Sequence, residues 1–489
     1  MDTSSPQSDD FPSILKGKRI LLTTESLGPV NGVSRTTSNL IEYLRRNGVD
    51  LVVVAPQFQH QPAPSPSPSD NDIRLPGYPL PYNPDLTLVY PFHLQSIYSP
   101  TLPPDLIYIA SPASLGFQTL LQTRQLHSPP PILLNYQTDL TSYSSVIFPA
   151  PLAHFATWLL STVEGYLFLH PSIHIIFYPC TAVLTYLKTT TTNPTTTLLP
   201  KAHRLARGVN TTLFHPSHRS PSLRALLSPK NEGFILLTVC RLAPEKGFEF
   251  LASIAQRLLA SKIPFKLVIV GGNRNPDVET SIRRLFDPVK DHVIFLGFLT
   301  GEDLARAYAS ADLFLHCSIT ETFGLVVLEA MASGVPVIAR DAGGPSDIVR
   351  NQETGYLVPP DEEGVFAALV AEVCRDERLR GRLAVRARAY AEEMTWENIH
   401  RRVAGRMADA LVEREGDLSS ETALLEGNGR GSGSGWSVLE KVRLGVAVGV
   451  VHLMWLVAVV PLIVHGERIV SRILRRIPLV GKLVSRGRS

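Results

Sequence analysis

The feature that most constrains this chain is the stretch Ala311-Asp-Leu-Phe-Leu-His-Cys-Ser-Ile-Thr-Glu-Thr-Phe-Gly-Leu-Val-Val-Leu-Glu-Ala-Met-Ala-Ser-Gly-Val-Pro-Val-Ile. Asp312 to Cys317 is short and mostly apolar, the reading of a buried parallel strand. A turn holding Glu321 and Gly324 follows. Leu325 to Ser333 are helix formers, Gly334 is a stop, and Val335 to Ala339 reads as the next buried strand. The unit is strand–loop–helix–strand, which commits the region to an α/β domain with a parallel sheet.

Two carboxylates lie in that unit, Glu321 in the loop and Glu329 in the helix, with seven residues between them. At a helical rise of about 1.5 Å per residue they are at most about 12 Å apart, the reach from a sugar ring to a ribose. Between them the amides of Phe323, Gly324 and Leu325 start a helix, where unpaired N–H groups and the helix dipole favour a phosphate. Gly324 lets the backbone come close. One unit can therefore hold hydroxyls at each end and a diphosphate in the middle.

Glu321-x7-Glu329 with Phe-Gly-Leu inside resembles the retaining glycosyltransferases of family GT4. The likeness covers about residues 18–410. It implies an α/β GT-B fold: two Rossmann-like domains facing across a cleft, here with a C-terminal membrane-associated helical tail. The segments expected are a lead-in at 1–17, an acceptor-side domain at 18–204 and a nucleotide-sugar-binding domain at 205–410 that ends in a crossing helix near Tyr390–Trp396. A flexible linker at 411–435 and a membrane segment with basic tail at 436–489 complete the chain.

Other motifs fall where the likeness requires. Arg19 to Thr24 is a first buried strand, and the loop Glu25-Ser-Leu-Gly-Pro-Val-Asn-Gly-Val follows it. There Gly32 matches the family's donor-phosphate loop, and Asn31 and Val33 face the acceptor. Arg241-Leu-Ala-Pro-Glu-Lys246-Gly follows the strand Phe234–Val239, at the sheet edge where open α/β folds bind ligands. The two cations form a clamp for a diphosphate. Gly271 resembles the family's Gly turn, Phe298 follows a strand as a base-pocket candidate, and Gly343 and Gly344 shape the site floor. At Tyr136-Gln137-Thr138-Asp139 the family often carries Tyr-His-Thr. Gln137 cannot become charged but can still hydrogen-bond a sugar hydroxyl; Asp139 lies on the acceptor side. Asn210 stands where Asp is usual. Asp70-Asn71-Asp72 is formally D-x-D, but it lies in a Pro/Ser-rich segment and reads as solvated.

The resemblance implies transfer of a hexose-type sugar from a UDP- or GDP-sugar with retention, and no metal or other cofactor. Arg241, Lys246 and the helix amides stabilise the departing diphosphate. Glu321 holds the sugar and Glu329 the ribose. A same-face attack needs no carboxylate base.

A net charge of +3 argues against a nucleic-acid binder, and four widely spaced cysteines suit a reducing compartment. The last 25 residues carry seven Lys/Arg and one Glu. Before them, 444–464 lacks a formal charge and has bilayer-spanning length. Arg468–Arg476 reads as a basic amphipathic helix. A simple span would put the enzyme opposite its basic tail, so a segment that enters and returns, or lies within one leaflet, is expected, with the catalytic domains on the cytosolic side. The apolar Phe148–Leu169 is a place for a lipid face. These features favour a membrane lipid or lipid-linked acceptor, as in diacylglycerol glycosyltransferases. A soluble glycan acceptor, a nucleotide-sugar epimerase and a non-catalytic scaffold are the alternatives.

Overall fold

The computed structural model describes residues 11–27, 32–57, 72–80, 83–89, 103–126, 128–137, 150–169, 172–190, 201–229, 233–273, 275–319, 321, 323–427, 438, 440–453 and 456. They form two compact units. Of the described residues, the first takes those up to Tyr178, Val183–Leu205 and those from His400 to 456; the second takes Pro179–Ala182 with Ala206–Ile399.

The first unit alternates strand and helix: β1 (Arg19–Thr23), α1 (Gly32–Arg46), β2 (Asp50–Pro56), β3 (Ile73–Leu75), a hairpin of β4 (Gly77–Leu80) and β5 (Asn83–Val89), β6 (Leu106–Ile109), α2 (Ser114–Thr123), β7 (Ile132–Asn135), α3 (Ala150–Phe168), β8 (Ile173–Tyr178), α4 (Thr181–Thr190) and β9 (Ala202–Arg204). The sheet runs β3-β2-β1-β6-β7-β8-β9, every pair parallel. β6 and β7 are buried throughout, which is why they read as apolar runs rather than alternations. β5 pairs antiparallel with β4, outside the parallel sheet.

The second unit continues with α5 (Pro221–Leu227), β10 (Phe234–Val239), α6 (Phe248–Ala260), β11 (Phe265–Val270), α7 (Pro276–Arg284), β12 (Val293–Gly297), α8 (Gly301–Ser310), β13 (Leu313–His316), α9 (Leu325–Ala332), β14 (Val337–Arg340), α10 (Pro345–Ile348), β15 (Gly355–Val358), α11 (Glu363–Arg375), α12 (Glu377–Glu393) and the start of α13 (Trp396–Gly427). Its parallel sheet runs β12-β11-β10-β13-β14-β15. Order reverses at β10, so the loops after β10 and β13 leave the same sheet edge side by side.

Two expectations change toward the C-terminus. The linker expected at 411–435 is helical as far as Gly427. Its Ala-, Leu- and Glu-rich sequence contains no proline, and Lys18–Glu415 and Arg414–Ser128 contacts tie it to the first unit. Of the apolar segment expected at 444–464, only 444–453 and 456 are described; among the described residues no helix is long and apolar enough to cross a membrane. The helix at 440–453 buries Ala447 and Val451. Residues 457–489, and with them the basic amphipathic tail, lie outside the described residues.

Candidate active site

The site in the second unit is built on the ends of β10 and β13. β13 stops at His316, and the chain turns through Glu321 to Gly324, which caps α9 in the left-handed region at φ +89°. That backbone conformation, rather than crowding, calls for glycine here. Below the turn, a Cβ on Gly343 (φ +62°) would strike the carbonyl of Glu321, and one on Gly344 would strike the backbone of Phe323. Gly344 N–H donates to Glu321 O at 2.7 Å. These two glycines let the second loop lie flush beneath the first.

Lys246 closes a 3-10 turn after β10, and its Nζ lies 2.8 Å from Glu321 Oε2. Burial works against both charges. The Glu321 carboxylate nevertheless lifts the Lys246 ammonium above its ordinary value. Burial likewise opposes the Glu321 charge, but Lys246, His316 and the Gly324 N–H hold its carboxyl below the usual range. Both groups are charged at neutral pH. Arg241 is exposed and reaches Glu245 Oε1 at 3.4 Å. It stands on the same turn as Lys246, with its guanidinium at the solvent side.

Glu329 is buried inside α9, and Tyr308 of α8 donates to its Oε2 at 2.9 Å. Phe323 packs into the core beneath Arg207, whose guanidinium lies 5.9 Å from the ring centroid. Leu325 opens α9. Gly271 sits at φ +131° against Cys240 O, so a side chain has no room there. The exposed Phe298 ring covers Gly272, where an added Cβ would fall 2.6 Å from Phe298 Cε2. All four cysteines are free, and burial pushes the Cys240 thiol up to about 12.

In the first unit, Gln137 follows β7 and is buried; its Nε2 donates to Ala110 O at 2.6 Å, while Oε1 has no partner among the described residues. One hydrogen of the amide is thus drawn to the backbone, a second remains, and Oε1 is an acceptor without a partner among the described residues. Gly32 starts α1, and Val33 O accepts from the Thr37 hydroxyl at 2.9 Å. Asn31 and Asp139 lie outside the described residues, as do Asp70 and Asn71. Asp72 is described, and it pairs with Arg45 and Arg74, which takes the remaining D-x-D member out of solvent and into an ion-pair cluster.

Three residues went unremarked in the sequence. Tyr308 is one. His316 is another: it is buried beside Lys246 and Glu321, its Nδ1 has no partner among the described residues, and burial pushes its imidazole down to about 4. It is a neutral polar group at the end of an otherwise apolar strand, and that contrast was the available signal. The third is Glu25, directly after β1. It is fully buried and accepts from Leu115 N–H at the start of α2, with its carboxyl pushed up to about 8 by burial.

Comparison with known proteins gives a consistent result. Residues 221–390 match the family described as glycosyl transferases group 1, and residues 31–195 match the glycosyl transferase 4-like domain. A GDP-mannose-dependent alpha-mannosyltransferase of Mycolicibacterium smegmatis is 34% identical over 77% of this chain and 94% of its own length. The sulfoquinovosyl transferase SQD2 of Arabidopsis thaliana is 30% identical over 79% of this chain and 72% of its own. Among solved structures, sucrose-phosphate synthase of Thermosynechococcus elongatus superposes with a TM-score of 0.62 at 23% identity, covering 81% of this chain and 99% of that one. Anabaena HepE in complex with UDP-glucose gives 0.60 at 20% identity, covering 80% and 99%. These two share the fold, two units each built on a parallel sheet.

Proposed function

The chain belongs to the group 1 glycosyltransferases with a GT4-like first half, and on that premise we propose that it is a retaining, metal-independent hexosyltransferase that moves a sugar from a nucleotide diphosphate sugar to a membrane lipid or lipid-linked acceptor. The observation that carries the reading is the Lys246–Glu321 pair at the N-terminal end of α9, 2.8 Å across.

In this reading the bond from the hexose C1 to the diphosphate oxygen breaks. The acceptor oxygen bonds C1 on the same face, and its proton passes to the departing phosphate oxygen. Charge grows on the diphosphate as its bond to carbon stretches. Lys246 and the amides at Gly324 and Leu325 meet that charge, and Arg241 swings from Glu245 to join them. Positioned donors of this kind are each worth about 3–4 kcal/mol of barrier. Glu321 binds the hexose hydroxyls and Glu329 the ribose. Gln137 accepts a hydrogen bond from a sugar hydroxyl through Oε1. His316, neutral and beside Glu321, adds a polar contact to the hexose without adding charge.

The names of the relatives put GDP-mannose first among donors to test and, through the sulfoquinovosyl transferase, favour a lipid-directed product. We place the catalytic units on the cytosolic side, where nucleotide sugars and free thiols are both at home. The test mixes the full-length protein with diacylglycerol-containing vesicles and labelled GDP-mannose, UDP-glucose, UDP-galactose or UDP-sulfoquinovose, beside Glu321→Ala. Label that enters the organic phase with one donor, and is lost in the variant, supports the reading. Donor consumption that labels only a water-soluble glycan replaces the lipid acceptor. No donor binding at all overturns the transferase.

A further inference from the structure

The C-terminal helix carries more information than its hydropathy. Helical backbone runs over 440–453 and recurs at 438 and 456. Val438, Val442, Val446, Leu453 and Leu456 are all between 47% and 79% exposed. At about 100° per residue, Val442, Val446 and Leu453 of the unbroken run 440–453 fall within a strip of about 40° on the helix surface. The opposite face carries Ala447 and Val451, both 6% exposed. Glu440, itself exposed, lies close enough to Arg124 to act on its charge. Arg124 in turn donates to Tyr166 O at 2.7 Å and stands 4.0 Å from the Tyr166 ring. The helix thus has one covered face, with Arg124 nearby, and shows one apolar stripe outward. Exposed helix faces in a soluble setting are normally polar, so this stripe needs an occupant.

We propose that the stripe Val438–Val442–Val446–Leu453–Leu456 lies in the surface of an anionic lipid bilayer, and that this segment attaches the enzyme by lying along the membrane rather than by crossing it. Three observations select a bilayer. The apolar run continues from the end of the described helix to Val464 without a formal charge, and the last 25 residues then carry seven Lys/Arg against one Glu. An apolar strip joined to a basic segment matches acyl chains beneath anionic headgroups. On α3 of the same unit, Phe155 and Trp158 are 56% and 60% exposed with ring centroids 5.8 Å apart. Amphipathic aromatic rings are enriched at the headgroup level. Finally, a helix with a protein-covered face cannot be lipid-facing all round, as a lone span must be. The proposal deepens the lipid-acceptor reading, since it names the surface on which that acceptor is met, and it can fail separately from it.

The experiment floats the full-length protein with phosphatidylcholine vesicles, with and without phosphatidylglycerol. The comparison is Val442→Asp combined with Val446→Asp, two exposed positions outside the donor site. Wild type is expected to bind the anionic vesicles in a salt-sensitive way, and the double variant to lose about tenfold or more of that binding. Both should keep the same melting temperature and the same affinity for the nucleotide donor. Equal vesicle binding by wild type and variant overturns the proposal, and so does absence of binding by wild type. A vesicle-independent oligomer that dissociates in the variant also overturns it, because the stripe is then a protein contact. Vesicle binding lost with sugar transfer to a detergent-dispersed acceptor retained supports both readings. Vesicle binding intact in a protein that transfers no sugar removes the transferase and leaves this surface standing.

Discussion

The hydroxyl of Tyr308 lies 2.9 Å from Oε2 of Glu329, and both side chains are buried. The two come from consecutive helices, α8 and α9, on either side of β13. Tyr308 thereby fixes the rotamer of the carboxylate that we assign to the ribose. Tyr308→Phe is expected to weaken nucleotide-donor binding about two- to tenfold, to raise the donor KM in proportion, and to leave kcat nearly unchanged. It should also cost about 1–3 kcal/mol in urea unfolding, because a buried carboxylate loses a donor. A variant with lost stability and unchanged donor affinity would show that Tyr308 only packs.

In the proposed reading, Lys246 and Glu321 set the pH window of donor binding. The Glu321 carboxyl is held below its ordinary 4.5, so its contribution is present above that value and fades as pH falls through the lower folded value. The Lys246 ammonium is held above its ordinary 10.5, so its contribution is present below that value and fades only as pH rises through the higher folded value. Donor affinity measured by calorimetry should therefore be flat between the two. Lys246→Met should lower kcat about 100- to 1000-fold. A titration step near neutrality that vanishes in this variant would contradict the assignment.

Glu25 makes the opposite kind of prediction. Burial raises its carboxyl from 4.5 to about 8 in the folded chain, so between those values the folded state binds a proton that the unfolded state has lost. Its contribution is fully present below about pH 4.5 and drains away as pH rises toward 8. Glu25→Gln can still accept from Leu115 N–H, and it should flatten the stability-versus-pH curve over that range. An unchanged slope in denaturant melts would sink the idea.

Gln137 can be separated into its structural and chemical halves. Its Oε1 is buried without a partner among the described residues, so Gln137→Met removes an unsatisfied atom together with the Ala110 bond. We expect stability to move by less than about 1 kcal/mol while sugar transfer falls about tenfold. Transfer at the wild-type rate would mean that Oε1 meets no substrate.

The sequence made one half of this site readable. Glu321, Gly324, Leu325 and Glu329 are neighbours along the chain, so a helix start and a spacing were enough to bring them together. The contact of Lys246 with Glu321, 75 residues apart, depends on β10 and β13 being adjacent in the sheet. Local pattern could not show that adjacency. Tyr308 and His316 stayed hidden because both sit in runs that read as core, where one hydroxyl or imidazole looks like packing. β3 and β9, three residues each, are too short to show a period. At the C-terminus, hydropathy measured how apolar 444–464 is, but not that Ala447 and Val451 face protein while Val442 and Val446 face outward.

The pairing of Lys246 with Glu321, and of Arg241 with Glu245, has a consequence for selectivity. Each cation of the clamp has a carboxylate against it, which offsets the two side-chain charges within the protein. A small free anion must displace those carboxylates, and the amides at the start of α9 offset only part of that loss. A nucleotide sugar can offset that loss through its base, ribose and hexose together. If these residues hold the donor as we propose, phosphate alone should compete only feebly with it.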